Sequence, residues 1–371
     1  MKLAIYQPRA SYYLGGGEIV PLKQATLLAG LGHKVEFITT RASFLSETET
    51  FTEMKKHSNI TIQYIDVPDA LRWIYNQKPG ENWKRWDLES LHIGLLARDQ
   101  LAEAKYDLMV VHLLFDIIAI PSSLKNVVHL HGYPKQFEYH HELLATMPNQ
   151  YISVSKKICE VWNEVLPKKV YNKVIENGID QNEFRPMKTK FKYDVLFIGR
   201  LIEVKGVDVL IKAIGLINKR NLKVAIVGSG PREDDLKSLV KKLGLGSQII
   251  FLGRIPQDEI ATLYNSSRVI ALPSISKEGI LTTMLEAASC GRPVITTTGG
   301  SMEEFINDGE TGLLVKPNDP LDLSKAISKL IVNSDTCSQI GQKARNEIVD
   351  SWSWDSKIKQ LEKEYAKIIN G

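Results

Sequence analysis

The chain has 371 residues and a mass of 41.8 kDa, enough for two domains of ordinary size. Hydrophobic residues make up 43% and charged residues 24%, values typical of globular chains and not of disordered or fibrous ones. The net charge is only +4, and all of it lies beyond residue 185. A nucleic-acid-binding protein would show a concentrated basic face, so the charge argues against that class.

The beginning of the chain and its cysteines predict a cytoplasmic location. Residues 1–7 are apolar for a shorter distance than the apolar region of a signal peptide, and Pro8 and Arg9 follow. Three scattered cysteines favour neither a disulfide framework nor a cysteine metal site, and they fit a reducing compartment.

Short runs of Val, Ile and Leu alternate with stretches of helical periodicity, the pattern of βαβ units around a parallel sheet. A first set of strands is predicted at residues 2–7, 34–39, 60–65, 108–112, 127–130, 151–154 and 173–175. A second set is predicted at residues 195–199, 223–227, 249–252, 269–272, 293–296 and 312–315. The segment 177–190 between the two sets is rich in turn formers and charge, so it is the predicted linker.

The last predicted element is a helix that begins near residue 351. Trp354, Ile358, Leu361, Tyr365 and Ile368 recur at three- and four-residue spacing and form one apolar face. This face requires a surface to pack against.

The first candidate site is the turn Gly-Gly-Gly-Glu at residues 15–18, before a helix predicted at residues 18–31. Glycines let the backbone approach a ligand closely, and the N–H groups at a helix start attract phosphate. A purely structural turn is an equal alternative. Neither this turn nor Val-Gly-Ser-Gly-Pro at 227–231 has the GxGxxG pattern, which disfavours a nicotinamide-dependent enzyme.

The second candidate site is formed by Arg200 and Lys205, which follow the strand predicted at 195–199. Two cations on one strand-to-helix loop can converge on a diphosphate, where arginine offers a planar fork of donors and lysine a compact charge. Two solvated surface cations are the simpler alternative for this pair taken alone.

The segment 273–294 carries the most specific pattern. It predicts Glu278 at a helix start, Glu286 eight positions later on that helix, and Gly291 at its end. Eight helical residues span ~12 Å and turn by ~80°, so both carboxylates can hold one extended ligand, such as a nucleotide-sugar. A structural alternative for Glu278 is an acid that complements the helix dipole. Glu286 has apolar neighbours, so its carboxylate needs a partner.

Six segments of the chain, in this order, resemble the retaining glycosyltransferases of family 4. They are GGGE, VIENGID, FIGRLIEVKG, VGSGP, LPSISKEGILTTMLEAASCGRPVI and GGSMEEFINDGETGLLV. The resemblance runs from Leu3 to about Val315. It implies an α/β protein of the GT-B fold, with two Rossmann-like doubly wound domains facing each other across a cleft. Residues 1–185 would bind the acceptor, residues 186–350 the nucleotide-sugar, and residues 351–371 would form a helix that crosses back to the first domain.

The resemblance also assigns roles to side chains. Arg200 and Lys205 would bind the donor diphosphate and stabilise the leaving nucleotide. Glu286 would hold the ribose hydroxyls, and Glu278 those of the transferred sugar. Other implied donor-binding positions supply backbone amides or surround the base: Gly16, Gly17, Gly279, Ile280, Leu281, Thr282, Arg254 and Ile255.

His131 is the histidine that the resemblance implies at a strand end of the first domain, in contact with the transferred sugar or the acceptor. With Arg200, Lys205 and Glu278 it completes the predicted catalytic set. His129 would share its strand face, so the choice between the two is left open, and a core or loop histidine is the alternative. The pair at residues 140 and 141 is a weaker candidate.

One departure from the family pattern concerns the donor. Relatives often have Glu-Gly-Phe-Gly-Leu where this chain has Glu-Gly-Ile-Leu-Thr at residues 278–282. Leu281 would add bulk beside the donor sugar, so the identity of the donor does not follow from the donors of relatives.

The sequence predicts no metal cofactor. All eight histidines lie within residues 1–141, yet they lack the spacing of a metal-binding helix, and no Asp-x-Asp pair occurs. We therefore expect a metal-independent reaction in which Arg200, Lys205 and helix N–H groups neutralise the leaving phosphate.

Two segments raise the hypothesis of peripheral contact with the inner face of the membrane. Trp73, Tyr75, Trp83 and Trp86 are interleaved with basic residues; such aromatics can stack on acceptor sugars, lie at a lipid interface or form a packed lid. Lysines at 156, 157, 168, 169 and 173 accompany apolar residues in the second segment, although most such runs are solvated faces.

The combined interpretation is a glycosyltransferase of polysaccharide, glycolipid or glycoconjugate synthesis that uses a nucleotide-sugar and a glycan or glycolipid acceptor. A nucleotide-sugar epimerase of the same fold and a catalytically inactive binding subunit are the alternatives. The donor, acceptor and oligomeric state are left undetermined.

Overall fold

The computed structural model describes residues 1–13, 15–76, 83–121, 123–134, 150–166, 170–217, 219 and 221–371, without the side chains at 83 and 84. The chain divides into two compact units. Unit 1 comprises residues 1–177 and 357–371, and unit 2 comprises residues 178–356.

Unit 1 is built on a parallel sheet in the order β3-β2-β1-β4-β5-β6-β7. Its strands are β1 Lys2–Tyr6, β2 Lys34–Arg41, β3 Ile60–Asp66, β4 Leu108–Val111, β5 Asn126–Leu130, β6 Gln150–Ser153 and β7 Asn172–Val174. The strand order reverses between β1 and β4. In such doubly wound sheets, ligands bind beyond the carboxyl ends of the strands at this point.

The helices of unit 1 follow these strands and cover the sheet. They are α1 Gly16–Gly30, α2 Glu49–Met54, α3 Arg72–Tyr75, α4 Trp83–Gln100 and α5 Lys156–Val165, with 3₁₀ turns at Asp69–Leu71 and Leu114–Ala119. Strands β1 and β4 carry apolar or aromatic side chains at every buried position, as expected for strands that helices cover on both faces.

Unit 2 repeats the architecture in the order β10-β9-β8-β11-β12-β13, again with parallel pairing. Its strands are β8 Tyr193–Ile198, β9 Val224–Val227, β10 Ile249–Gly253, β11 Ser267–Leu272, β12 Val294–Thr297 and β13 Leu313–Val315. Its helices are α6 Val207–Leu216, α7 Glu233–Lys242, α8 Gln257–Asn265, α9 Thr282–Ser289, α10 Pro320–Val332 and α11 Ser334–Glu347, with short turns at Glu203–Lys205, Ser301–Glu304 and Ile348–Trp352. Each strand predicted from the sequence is present, with ends within two residues.

The last helix, α12, spans Trp354–Asn370. Its five predicted face residues are buried, and from Ile358 onward the face joins the apolar core of unit 1 beside Leu3 and Ile5. Residues 357–371 therefore belong to unit 1.

The units divide after Asn177 and not after Arg185, where the sequence placed the boundary. The segment between these positions packs into unit 2. The Ile179 N–H donates to the Trp352 carbonyl at 2.9 Å, and the Phe184 ring is buried in the core of that unit. The turn-rich composition of the segment concealed this packing.

Candidate functional site

In unit 2, the loops after β8 and β9 pack backbone against backbone. Gly228 has φ +126°, and a Cβ there would lie 1.9 Å from the Gly199 carbonyl oxygen; a Cβ at Gly230 would lie 2.4 Å from the Leu201 carbonyl oxygen. Only glycine allows such an approach. These glycines therefore fix the backbone on both sides of Arg200, a role that the sequence did not reveal.

Lys205 and Glu278, 73 residues apart in the chain, form an ion pair with 2.6 Å between Nζ and Oε1. Their side chains are 15% and 18% exposed. Among the described residues, the buried Oε2 of Glu278 has no hydrogen-bond partner. Glu278 thus keeps one carboxylate oxygen that can accept a hydrogen bond from a ligand hydroxyl.

Two backbone features hold this ion pair in place. The Ile275 N–H donates to the Val204 carbonyl at 2.9 Å, which joins the loops that carry the two charged residues. Gly206, with φ +63°, passes so close to Pro273 that a Cβ would lie 2.0 Å from its carbonyl oxygen. The ion pair therefore lies between two directly connected loops.

The structure corrects the predicted start of the helix that carries Glu286. Helix α9 begins at Thr282, after Leu281 in an extended conformation, so Glu278 lies in the preceding loop with Gly279 and Ile280. The estimate of ~12 Å between the two carboxylates assumed continuous helix and does not hold. The first N–H groups of the helix come from residues 282 and 283, while Gly291, with φ +69°, follows its end as predicted.

Glu286 has the partner that its apolar neighbours required. The Tyr264 hydroxyl donates to Glu286 Oε2 at 2.8 Å. Desolvation raises the pKa of Glu286 to about 7, although the hydrogen bond from Tyr264 acts in the opposite direction. Tyr264 lies on α8 and was not predicted, because no local pattern connects it with residue 286.

Arg200 and Arg254 are exposed at the carboxyl ends of β8 and β10. Arg254 donates from Nε to the Ser229 hydroxyl at 2.8 Å, and Ile255 beside it is half-buried. Within the described part of the chain, Arg200 makes no hydrogen bond or ion pair. Its guanidinium is therefore free to bind an anion.

In unit 1, Gly16 and Gly17 begin α1, two residues earlier than predicted. The Gly17 carbonyl accepts a hydrogen bond of 3.5 Å from the Gln7 side chain, which follows β1. The glycine-rich turn thus places the start of a helix at the carboxyl edge of the sheet, the arrangement that attracts anions.

Three histidines meet at the same edge of this sheet. His112 follows β4, His129 lies in β5 and His131 follows β5. His112 Nδ1 lies 3.1 Å from His131 Nε2, whereas His129 Nε2 bonds the Tyr365 hydroxyl of α12 at 2.8 Å. His129 is buried and His131 is half-buried, so His131 is the one open to a ligand. Residues 140 and 141 lie outside the described residues.

Ring nitrogens of these three histidines lie within 4.8 Å of one another, close enough to raise the question of a metal ion. The ring planes are inclined by only 22° to 30°. The His112 and His129 rings are stacked with centroids 4.5 Å apart, so the lone pairs in their two separate planes do not converge on one ion. The 3.1 Å contact is that of a hydrogen bond.

A buried charged cluster, which the sequence did not reveal, lies behind the glycine-rich turn. Arg9 is 1% exposed; its guanidinium lies 3.7 Å from Glu89, 3.6 Å from Asp116 and 4.0 Å from Glu18. Burial raises the pKa of Glu18 to about 7 and that of Asp116 to about 6. The positive charge of Arg9 opposes both pKa shifts. Through these three carboxylates, Arg9 also connects α1, α4 and the turn after β4.

The aromatic residues of the segment 73–86 are partly internal: Tyr75 and Trp86 are half-buried. The Tyr75 ring contacts Tyr12 and Phe44, and the Trp86 ring contacts Tyr13 and lies 4.9 Å from the Arg9 guanidinium. Trp73 is 48% exposed. The side chain at residue 83 lies outside the described residues, as do those at 168 and 169. Among the helices that the structure describes, none is long and apolar enough to cross a bilayer.

Residues 179–347, nearly all of unit 2, match the family model Glycosyl transferases group 1. An uncharacterized glycosyltransferase of Methanocaldococcus jannaschii is 30% identical over 240 residues, which cover 59% of this chain and 60% of the relative. N-acetyl-alpha-D-glucosaminyl L-malate synthase of Bacillus anthracis is 24% identical, over 96% of this chain and 95% of the relative. The chain spans about half to three-fifths of the length of the first curated relatives it matches.

Solved structures resemble the whole chain. Anabaena HepE in complex with UDP and glucose has a TM-score of 0.79 and 19% identity, covering 99% of this chain and all of that one. Sucrose-phosphate synthase from Thermosynechococcus elongatus has a TM-score of 0.81 and 17% identity, covering 100% of this chain and 99% of that one. The predicted fold class, GT-B with two Rossmann-like domains, is confirmed.

Proposed function

We propose that the protein is a retaining, metal-independent glycosyltransferase that moves a sugar from a nucleotide-sugar to a glycan or lipid-linked glycan. Unit 2 binds the donor and unit 1 binds the acceptor. The observation that carries this proposal is the contact between Lys205 and Glu278 inside the matched domain. A cation suited to a diphosphate and a carboxylate suited to sugar hydroxyls thereby meet at one point.

Each residue of unit 2 acts on a different part of the donor. Lys205, the exposed Arg200 and the first N–H groups of α9 neutralise the diphosphate. Glu278 accepts hydrogen bonds from hydroxyls of the transferred sugar, and Glu286 accepts them from the ribose. Arg254 and Ile255 border the base.

In unit 1, the N–H groups of Gly16 and Gly17 donate hydrogen bonds to the phosphate. His131 contacts the transferred sugar or the acceptor. In the reaction, the acceptor oxygen forms a bond to the anomeric carbon, and the bond from that carbon to the phosphate oxygen breaks. The acceptor proton passes to the leaving phosphate. Charge grows on this phosphate in the transition state, so the cations accelerate the reaction by binding it more tightly there.

Calorimetric binding of UDP-, GDP- and ADP-sugars, followed by transfer assays with the donor that binds, tests the proposal. We expect one nucleotide class to bind and its sugar to be transferred, or slowly hydrolysed without acceptor. No binding by any class contradicts the proposal. Binding without turnover across a broad acceptor panel favours an inactive binding subunit, and conversion of the donor to its epimer favours an epimerase.

The same assay tests the two finer parts of the proposal. The anomeric configuration of the product, read by NMR, must equal that of the donor if the enzyme is retaining. Turnover must persist after treatment with EDTA; complete loss that one divalent ion restores contradicts metal independence.

We also propose peripheral contact between unit 1 and the inner face of the membrane. Trp73 is 48% exposed, and Leu91 and Leu95, one turn apart on α4, are 41% and 50% exposed. The Trp73 ring lies edge-to-face against His92, which follows Leu91 in α4. Aromatic and aliphatic groups of this kind enter a lipid interface. We expect flotation with anionic liposomes at low salt and its loss on Trp73→Ser with Leu95→Ser; absence of flotation contradicts the contact.

A further inference from the structure

The lysine proposed to bind the donor diphosphate is already paired with a carboxylate. Lys205 Nζ lies 2.6 Å from Glu278 Oε1, and the two side chains are only 15% and 18% exposed. Within the part of the chain that the structure describes, neither side chain has another polar partner, and Oε2 of Glu278 is buried without a hydrogen bond. A diphosphate that approaches Lys205 therefore meets two opposite charges with no net charge.

The backbone of Glu278 is held in place, whereas the charge of Lys205 can move. The Ser301 N–H donates to the Glu278 carbonyl at 2.9 Å, and a Cβ at Gly300 would lie 3.2 Å from the Glu278 nitrogen, so the loop after β12 packs closely against this backbone. Lysine carries its charge on a flexible four-carbon stem, which allows the ammonium group to turn from one anion to another. Binding of a phosphate thus moves Lys205 and leaves the Glu278 backbone where it is.

The cost of this exchange depends on what else the ligand offers to Glu278. When Lys205 turns to a phosphate, a largely buried carboxylate loses its one partner among the described residues, which costs free energy. If the ammonium group kept both contacts, the carboxylate 2.6 Å away would still offset much of its charge. Hydroxyl groups of an attached sugar can donate hydrogen bonds to Glu278 and replace the lost partner. A bare diphosphate has no such groups.

We infer that Glu278 is a specificity-determining residue that weakens the binding of a bare nucleoside diphosphate relative to that of the nucleotide-sugar. Its pairing with Lys205 penalises both ligands, and only the sugar compensates the penalty. The inference rests on the proposed function, because it takes the nucleotide-sugar as the ligand of this site. Its consequence is release of the product: once the sugar has been transferred, Glu278 recovers Lys205 and the diphosphate is held less tightly.

The charge of the ligand adds to this discrimination. The terminal phosphate of a nucleoside diphosphate carries about 1.5 to 2 negative charges at pH 7, whereas the same phosphate esterified to a sugar carries a single one. The negative charge of Glu278 therefore repels the product more strongly than the donor.

Glu278→Gln removes the charge and keeps a side chain of the same size, so Lys205 becomes available to a phosphate. Calorimetry with UDP, GDP, ADP and their glucose conjugates, in a buffer with EDTA so that no divalent ion neutralises the phosphates, measures the effect. For the nucleotide class that binds, we expect the affinity for the bare diphosphate to rise by about 5- to 10-fold, between the effects of an exposed ion pair and of a hydrogen bond to a charged group. The affinity for the glucose conjugate should stay level or fall, because the variant also loses the charged acceptor for the sugar hydroxyls.

Glu233→Gln is the matched control, because it makes the same substitution in another lysine–glutamate pair of unit 2. Glu233 Oε1 lies 2.7 Å from Lys237 Nζ on α7, and these side chains are 31% and 49% exposed. Both affinities should equal those of the wild type in this variant. Melting temperatures show whether each variant is folded. A locally disrupted site would weaken the binding of the bare diphosphate, which is opposite to the change expected for Glu278→Gln.

An unchanged or lower affinity for the bare diphosphate in Glu278→Gln overturns the inference. An equal gain for the diphosphate and its glucose conjugate also overturns it, since the sugar would then make no compensating contact with Glu278. If none of these nucleotides binds to either protein, the proposed function is contradicted and the inference with it. The expected gain without transfer to any acceptor supports the inference and counts against transferase activity alone.

Discussion

At the carboxyl edge of its sheet, unit 1 buries the charged cluster around Arg9, whereas unit 2 leaves the cluster of Arg200 and Lys205 within reach of solvent. Arg9 is 1% exposed between Glu89 and Asp116, which are fully buried. At the corresponding edge of unit 2, Arg200 is exposed and Lys205 is 15% exposed. Buried charges cannot exchange their partners without a large desolvation cost, so they fix positions. Charges near solvent can exchange a protein partner for a ligand. We therefore infer that the charged cluster of unit 1 holds structural elements in position and that the charged cluster of unit 2 binds a ligand.

The largest expected effect comes from breaking the buried cluster. Arg9→Met leaves the carboxylates of Glu89 and Asp116 without their cation, so the free energy of unfolding should fall by ~3–5 kcal/mol. Urea denaturation measures this. The control is Arg41→Met, which removes an exposed ion pair to Asp66 on the same unit and should change stability little. Similar losses in both variants would refute the assigned difference between buried and exposed charges.

The next largest effect concerns turnover. Lys205→Ala removes a charge that opposes the developing charge on the leaving phosphate, so kcat should fall by ~10²- to 10³-fold while nucleotide affinity changes less. Lys212→Ala is the control, since Lys212 pairs with Asp208 on the exposed side of α6. Steady-state kinetics and calorimetry separate the two quantities. If Lys205→Ala weakened binding alone, the proposed role in the transition state would be wrong.

A smaller effect is expected on nucleotide binding. Glu286→Ala removes the carboxylate proposed to accept hydrogen bonds from the ribose, so nucleotide affinity should fall by ~10- to 100-fold, as for hydrogen bonds to a charged group. Tyr264→Phe keeps that carboxylate but removes the hydroxyl that bonds it, so its effect should be smaller. Calorimetry with the preferred nucleotide measures both. A larger loss in Tyr264→Phe would contradict direct contact by Glu286.

The smallest effect is a pH dependence. Desolvation raises the pKa of Glu286 from 4.5 to about 7, so the carboxylate gains a proton as the pH falls from 8 to 6 and loses acceptor capacity. Nucleotide affinity should fall by up to about tenfold over this range. The same shift stabilises the folded state below pH 4.5, and this contribution is lost as the pH rises through 7. Calorimetry should show a flatter profile for Glu286→Gln; an equally steep profile would exclude Glu286 as its cause.

The sequence by itself determined the strands, the two parallel sheets and the loop that carries Arg200 and Lys205. Apolar runs and glycine-rich segments are local signals, so they can be recognised without knowledge of the fold. The need of Glu286 for a partner was also readable, because a carboxylate among apolar neighbours costs free energy.

Only the tertiary structure decided which side chains meet. Three contacts join residues from separate elements that no spacing rule connects. They are the bond between Tyr264 and Glu286, the cluster around Arg9, and the bond between His112 and His131. The start of α9 at Thr282 and the unit boundary after Asn177 were likewise set by packing, which overrides local propensity. The physical reason is common to all of these features. Desolvation and hydrogen bonding depend on what surrounds an atom in space, whereas sequence patterns report only what is near it along the chain.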